Sequence, residues 1–268
     1  MTELLVGTCG WSYPDWVGPF YPPGTASEDM LARYAEVFDT VEVNSSFYAV
    51  PPRERTRRWD RITPEDFDFA VKAPRDLTHE ARLDLDEADD VVSDFVTALR
   101  PLGLKVGVVL LQLPPSLTAD EGRPRLERIL EEEAIPAPIA VEARHESWNH
   151  PSTYSMLEGH DTTWVWSDND RWSSPSARTS PAAYLRFIGD RETETFDELQ
   201  RDPEPQIQQR WADLEMQTDA IDTIRVYANN HFAGFGPGAA NAFLRVAGQE
   251  PREWGAGEQG GQSQLGEF

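Results

Sequence analysis

The sequence predicts an α/β fold, a single (β/α)8 barrel of the TIM type. Three observations carry this expectation. Short apolar runs alternate with amphipathic helical stretches eight times along the chain, and that alternation implies parallel strands joined by right-handed crossovers. The length of 268 residues suits eight such units, which take about 250 residues. The competing open, doubly wound sheet lacks its signature, because no Gly-x-Gly-x-x-Gly follows the first strand.

The elements are placed in order. The first strand, 3–9, leads into a loop rich in aromatic residues: Trp11, Tyr13, Trp16, Phe20 and Tyr21. These rings either stack on a ligand or plug the barrel's top. A helix at 27–38 precedes the second strand, 39–44, in which Val41 and Val43 share one face and Thr40, Glu42 and Asn44 the other. A helix at 53–61 precedes the third strand, 67–73, where Phe67, Phe69 and Val71 oppose Asp68, Ala70 and Lys72. A helix at 88–100 leads to the fourth strand, 106–112, and a helix at 121–133 to the fifth, 138–144, where Ile139 and Val141 oppose Ala140, Glu142 and Arg144. A helix at 152–159 precedes the sixth strand, 162–167. The next connection, 168–181, is polar and rich in Ser, Pro and Arg, so a long loop is expected in place of a helix. The seventh strand, 182–188, sets Leu185 and Phe187 against Tyr184 and Arg186; after a helix at 204–220, the eighth, 223–229, sets Ile224, Val226 and Ala228 against Arg225, Tyr227 and Asn229. A last helix is expected at 238–248. The barrel domain is thus placed at 1–248, and 249–268, rich in Gly, Gln and Glu, reads as a flexible tail. The apolar faces should meet the helices and the polar faces the barrel axis, with the ionised groups gathered toward the C-terminal strand ends, where such barrels hold their sites.

Composition narrows the function. The formal net charge is −23, and of 24 basic residues only Lys72 and Lys105 are lysines. A dispersed acidic surface almost without lysine points to molar salt, where the Debye length is about 3 Å and self-repulsion is screened; an ordinary acidic protein is the alternative. No general basic track for nucleic acid is present. No apolar run reaches the roughly 18 residues of a membrane span, and Met1 to Val6 lacks a signal-peptide pattern, so a cytoplasmic location is expected. The single cysteine, Cys9, excludes an internal disulfide and a zinc site built on several thiolates.

Several motifs then recur together: Gly7 to Tyr13, Gly18 to Pro22, Phe38 to Tyr48, Phe69 to Arg75, Leu110 to Ser116 and Val141 to Trp148, with Asn229-Asn230 and Asn241-Ala242 near the end. Across about residues 4–245 the chain resembles the YecE-like family, catalogued as domain of unknown function 72. The resemblance implies a TIM-type barrel and brings no established reaction. The family commonly has His-Gly after the seventh strand, where this chain has Ile188-Gly189.

The candidate catalytic residues are Lys72, Glu42, Glu142 and His145. Lys72 is a lysine retained at the mouth of strand three by a chain that otherwise uses arginine. Unlike arginine, a buried lysine can lose its proton, and so act as general acid, general base or Schiff-base amine; a salt bridge to Glu42 or Glu142 is the alternative. Lys105 reads as a solvated surface charge. Glu42 and Glu142 form either an acid–base pair or the counter-ions of Lys72, Arg144 and Arg186. His145 is either a proton carrier or a capping imidazole. Arg144 and Arg186 suit a carboxylate or phosphate, with Asn44, Gln112, Trp148, Asn229 and Asn230 as further binding candidates. Gly189 and Gly236, in the loops after strands seven and eight, could present backbone N–H groups to an anion. The five histidines show no metal-binding spacing, so no metal site is assigned, although a single Mg²⁺ at Glu42, Glu142 or Asp168 is compatible. No cofactor is implied, and the oligomeric state is open. The leading expectation is a barrel enzyme using acid–base chemistry on a small anionic substrate, a sugar phosphate or a nucleotide-derived molecule. The alternatives are a metal-dependent phosphodiesterase acting on nucleic acid and a non-catalytic sensor of small ligands.

Overall fold

The computed structural model describes residues 2–169, 172–190 and 192–255. Eight parallel strands follow one another around a nearly closed barrel: β1 Glu3–Thr8, β2 Thr40–Val43, β3 Asp68–Lys72, β4 Val106–Gln112, β5 Ile139–Glu142, β6 Thr163–Asn169, β7 Ala182–Gly189 and β8 Thr223–Ala228. Helices α1 Met30–Ala35, α2 Arg53–Ile62, α3 Leu85–Leu99, α4 Ala119–Glu131, α5 Pro151–Gly159 and α6 Glu204–Glu215 return the chain between strands. The last strand leads into the short α7 Asn230–Ala233 and then α8 Gly236–Val246. The alternation read from the sequence is therefore the architecture of the molecule.

Strand parity sorts the side chains as expected. Val41, Val43, Phe69, Val71, Val141, Leu185, Phe187, Ile224 and Val226 join the large core between strands and helices. A second, smaller cluster of Cys9, Ala70, Val108, Leu110, Ala140, Val165, Tyr184 and Tyr227 fills the barrel axis. Beneath it, at the N-terminal strand ends, Arg225 holds Asp68 through Nη2 at 2.7 Å. Above it stand Glu42, Glu142 and Arg186, all nearly fully buried.

The seam between β1 and β2 carries an isolated bridge between Cys9 and Glu42 rather than a ladder. Tyr34 of α1 completes it. Its hydroxyl donates to the Thr40 carbonyl at 3.0 Å and accepts from the Thr8 N–H at 2.9 Å. Gly7 permits the approach, because a Cβ there would collide with the Thr40 carbonyl oxygen.

Among the described residues the β6–β7 connection holds no helix. The loop fills the helix's place: the carbonyls of Pro175 and Ala177 accept from the indoles of Trp164 and Trp166 on the outer face of β6, at 3.1 and 2.8 Å. Ser174 and Thr179 hydroxyls accept the β6 backbone N–H groups of Ser167 and Trp164.

Two expectations change. Lys105 is not a solvated charge. Its ammonium donates to the carbonyls of Asp60 and Thr63 at 2.6 and 3.1 Å and pairs with the Asp60 carboxylate, closing the C-terminus of α2. A cation there satisfies carbonyls that the helix leaves without partners. Residues 249–255, assigned by composition to the tail, pack on the barrel: Arg252 pairs through its backbone with Asn241, and Trp254 donates to the Pro19 carbonyl while its ring meets Phe20 and Phe235. The remaining tail positions, 256–268, lie outside the described residues.

Candidate functional site

The C-terminal strand ends open into a pocket of about 700 Å³, within the ordinary range for small-molecule sites. Of the residues singled out from sequence, Asn44, Lys72, Gln112, Arg144, Arg186 and Asn229 line it. Glu42 and Glu142 lie at its floor, bonded to the lining arginines.

The floor is built around Arg186. Its Nε and Nη2 donate to Glu42 Oε2 and Oε1, both at 2.7 Å, and its Nη1 to Glu142. Glu42 also accepts from the Tyr184 hydroxyl and the Asn44 amide at 2.7 and 2.8 Å. Glu142 accepts from Arg144 Nε at 2.7 Å. Burial works to raise both carboxyls, but Arg186 and the other donors overcome it; Glu42 is held below its usual range and Glu142 at about 2. Neither carboxyl is thus a proton donor at neutral pH. Of the two readings open for Glu42 and Glu142, the ion pairs are those of counter-ions to Arg144 and Arg186. Arg186, correspondingly, directs its fork at glutamates rather than at an incoming anion. Burial, with the negative charge of Glu42 beside it, keeps the Cys9 thiol protonated.

Lys72 makes neither salt bridge that the sequence allowed. Its Nζ donates to Gln112 Oε1 at 2.8 Å and stands 3.8 Å over the centre of the Phe47 ring. Among the described residues it forms no ion pair, because the arginines have taken both glutamates. Burial and the nearby Arg186 guanidinium bring its pKa down to about 7, despite the opposing pull of Glu142 and Glu42.

His79 also lines the pocket, on a π-helical turn, Asp76–Glu80, just after β3. Such turns cluster at functional sites, and nothing in the sequence marks this one. Burial, then Lys72, Arg144 and Arg75, lower the His79 pKa to about 4, so the ring is neutral at pH 7. Tyr13, one of the first-loop rings named from sequence, reaches the pocket, whereas sequence reasoning missed Arg75 and the pair Phe47 and Tyr48. The last two close the motif Phe38 to Tyr48 that also holds Asn44, which was the available signal. Tyr48 is 77% exposed at the rim. Ile188 lines the pocket as well, so the departure from His-Gly falls in the site itself.

Other expected residues stand elsewhere. His145 is not a pocket residue; its Nδ1 accepts from the Ser147 N–H at 3.2 Å and caps the turn Glu146–Trp148. Trp148 is fully buried and donates to the Leu117 carbonyl at 2.8 Å, making it a core residue. Asn230 is buried outside the pocket, with Oδ1 accepting from Trp16 Nε1 and from the Gly236 N–H at 3.2 and 2.8 Å. Gly236 therefore has no N–H left for an anion. Gly189, at φ 78°, is glycine because a Cβ would strike the His231 backbone. Asp168 points away from the glutamates to a bidentate pair with Arg210 at 2.7 and 2.6 Å, which removes it from any shared cation site. Among the described residues no group of three or more His, Cys, Asp and Glu could hold a metal ion.

Fold and mouth together define a (β/α)8 barrel protein with a buried ionic floor and a cationic, aromatic-edged pocket. The chain belongs to the family described as Protein of unknown function DUF72, whose model matches residues 5–263. It is 32% identical over 157 residues to the UPF0759 protein YunF of Bacillus subtilis, covering 57% of this chain and 55% of that protein. Over 142 residues it is 35% identical to the UPF0759 protein YecE of Escherichia coli K12, covering 53% of this chain and 48% of that one. The matches thus span about half the length of these curated relatives. The crystal structure of a DUF72 family protein from Thermotoga maritima superposes with a TM-score of 0.77 at 28% identity, over 92% of this chain and 100% of that one. A DUF72 family protein from Enterococcus faecalis gives a TM-score of 0.73 at 19% identity, over 93% of this chain and 99% of that one, and shares the fold.

Proposed function

We propose that this protein is an enzyme that binds a small anionic substrate at the barrel mouth and moves a proton with Lys72. One observation carries the reading. Lys72 Nζ borders a 700 Å³ pocket with Gln112 as its hydrogen-bond partner, while Arg144 and Arg186 occupy both nearby glutamates. An amine in that setting exchanges protons near neutral pH, as a general acid or base must. Arg144, a quarter exposed and anchored by Nε alone to Glu142, is the cation that grips the anion. Asn44, Gln112 and Asn229 supply neutral polar groups around it. Sugar phosphates and nucleotide-derived anions fit this chemistry. The acidic composition and the scarcity of lysine support adaptation to molar salt.

The test is a thermal-shift panel of sugar phosphates, nucleotides and small carboxylates in molar KCl. A true ligand at about 100 times its Kd adds roughly 2.7 kcal/mol of stability. That shift should vanish in Arg144→Ala, and Lys72→Met should keep the fold while losing turnover of the ligand found. Silence across all anions sinks the reading. Arg186→Ala is a poor probe, because it strands two buried carboxylates at a cost of about 3–5 kcal/mol.

A further inference from the structure

We infer that Lys72 forms a Schiff base with a carbonyl compound that also carries a carboxylate or phosphate. The inference rests on the anion-binding reading above and names the substrate class and the bond made. Nζ is buried within a cluster whose arginines, Arg144 and Arg186, are ion-paired to Glu142 and Glu42, so among the described residues Lys72 is the cation of that cluster without a carboxylate of its own. A desolvated lysine beside other cations is the usual setting for an amine that attacks carbonyls. The uncharged fraction of the amine at neutral pH is then large. Its surroundings suit each stage of the addition. The Phe47 ring face lies on one side at 3.8 Å and excludes water there. Gln112 Oε1, at 2.8 Å, accepts an N–H from the amine now and from the iminium afterwards. Arg144 is placed to hold the anionic group.

The step balances without a redox partner. The Nζ lone pair attacks the carbonyl carbon, and the carbon–nitrogen bond forms. The two hydrogens of the amine leave with the carbonyl oxygen as water, giving the imine. Its protonation gives an iminium whose positive charge replaces that of the ammonium, above Glu42 and Glu142. An iminium withdraws electrons from the adjacent carbon, which is the chemistry of proton removal or carbon–carbon cleavage next to a carbonyl.

The chain is suited to the test, because Lys72 and Lys105 are its only lysines. The protein is incubated at pH 7 with pyruvate or with dihydroxyacetone phosphate, each with sodium cyanoborohydride, and the adduct is mapped by peptide mass spectrometry. The expected result is a reduced adduct on Lys72 in at least roughly tenfold excess over Lys105, whose ammonium is held by the Asp60 and Thr63 carbonyls and the Asp60 carboxylate. The probe that labels reports whether carboxylate or phosphate is the anchor. Lys72→Arg and Lys72→Met, checked for folding by circular dichroism, should give no adduct at the barrel mouth. Equal labelling of both lysines overturns the inference. An unlabelled Lys72 in protein that the same anions still stabilise against heat overturns it too and leaves the anion site standing. Absence of both adduct and thermal shift with every anion overturns the two readings together.

Discussion

Lys72 concentrates the tension in this molecule. Most surface charges of the chain stand in water, whereas this ammonium is 8% exposed and lacks a carboxylate partner among the described residues. Its folded pKa of about 7 lies below the ordinary lysine value of 10.5, so between those two pH values the unfolded chain binds more protons than the folded one. Stability from this group therefore rises with pH through that window. Lys72→Met should melt higher than the parent at pH 7, and the gap should narrow as pH approaches 10. Thermal melts of both proteins across that range check it; a variant that melts lower at pH 7 would show that the buried amine is not the strain described. His79, one turn along, differs in kind. Its ring is already neutral above about pH 4, so it enters the pocket as an uncharged acceptor or donor. Neither property was readable from residue identity. The retention of a lysine in an arginine-rich chain drew attention to position 72, while the turn that brings His79 into the pocket left no pattern in the sequence.

At the scale of elements, the weak point is the β1–β2 seam. There a side chain does what a strand ladder does elsewhere, since the Tyr34 hydroxyl links Thr8 and Thr40 across the gap. Tyr34→Phe leaves a buried N–H and a buried carbonyl without that partner, and each orphaned group costs about 1–3 kcal/mol. Urea unfolding should place the loss for the two groups at about 2–6 kcal/mol, and a loss below a few tenths would mean the seam closes in another way. The β6–β7 connection shows the opposite economy. A polar loop replaces a helix because the Trp164 and Trp166 indoles and the β6 N–H groups find partners on it, and Arg210 of α6 locks Asp168 beneath it. The sequence announced the missing helix through its Ser, Pro and Arg content. It could not announce that Asp168 would face Arg210, because parity places a residue on one side of a strand without saying what stands opposite.

Across the whole molecule, 47 acidic against 24 basic side chains give a net charge of −23. Repulsion among dispersed charges falls as the Debye length shrinks from about 10 Å at 0.1 M salt to about 3 Å at 1 M. The melting temperature should therefore climb as KCl is raised toward molar levels. A melting temperature flat in KCl would remove charge screening from the account. Against that acidic surface the pocket is the exception, with Lys72, Arg75, Arg144 and Arg186 all on its wall. The order of strands, the split between helix-facing and axis-facing residues and the end of the barrel that carries Glu42, Lys72, Glu142 and Arg186 all followed from the sequence, because period-two alternation and parallel crossovers are local rules repeated eight times; the Asp68–Arg225 pair at the opposite end did not. Which charges pair was decided by tertiary structure alone. Arg186 reaches Glu42 and Glu142 from a strand that pairs with neither of theirs, and only closure of the barrel sets those distances. The same closure buries Trp148 and Asn230, leaves His145 to cap a turn, and strips Lys72 of a carboxylate. Local pattern assigns a side chain to a face, but its electrostatic partner comes from residues far away in the chain.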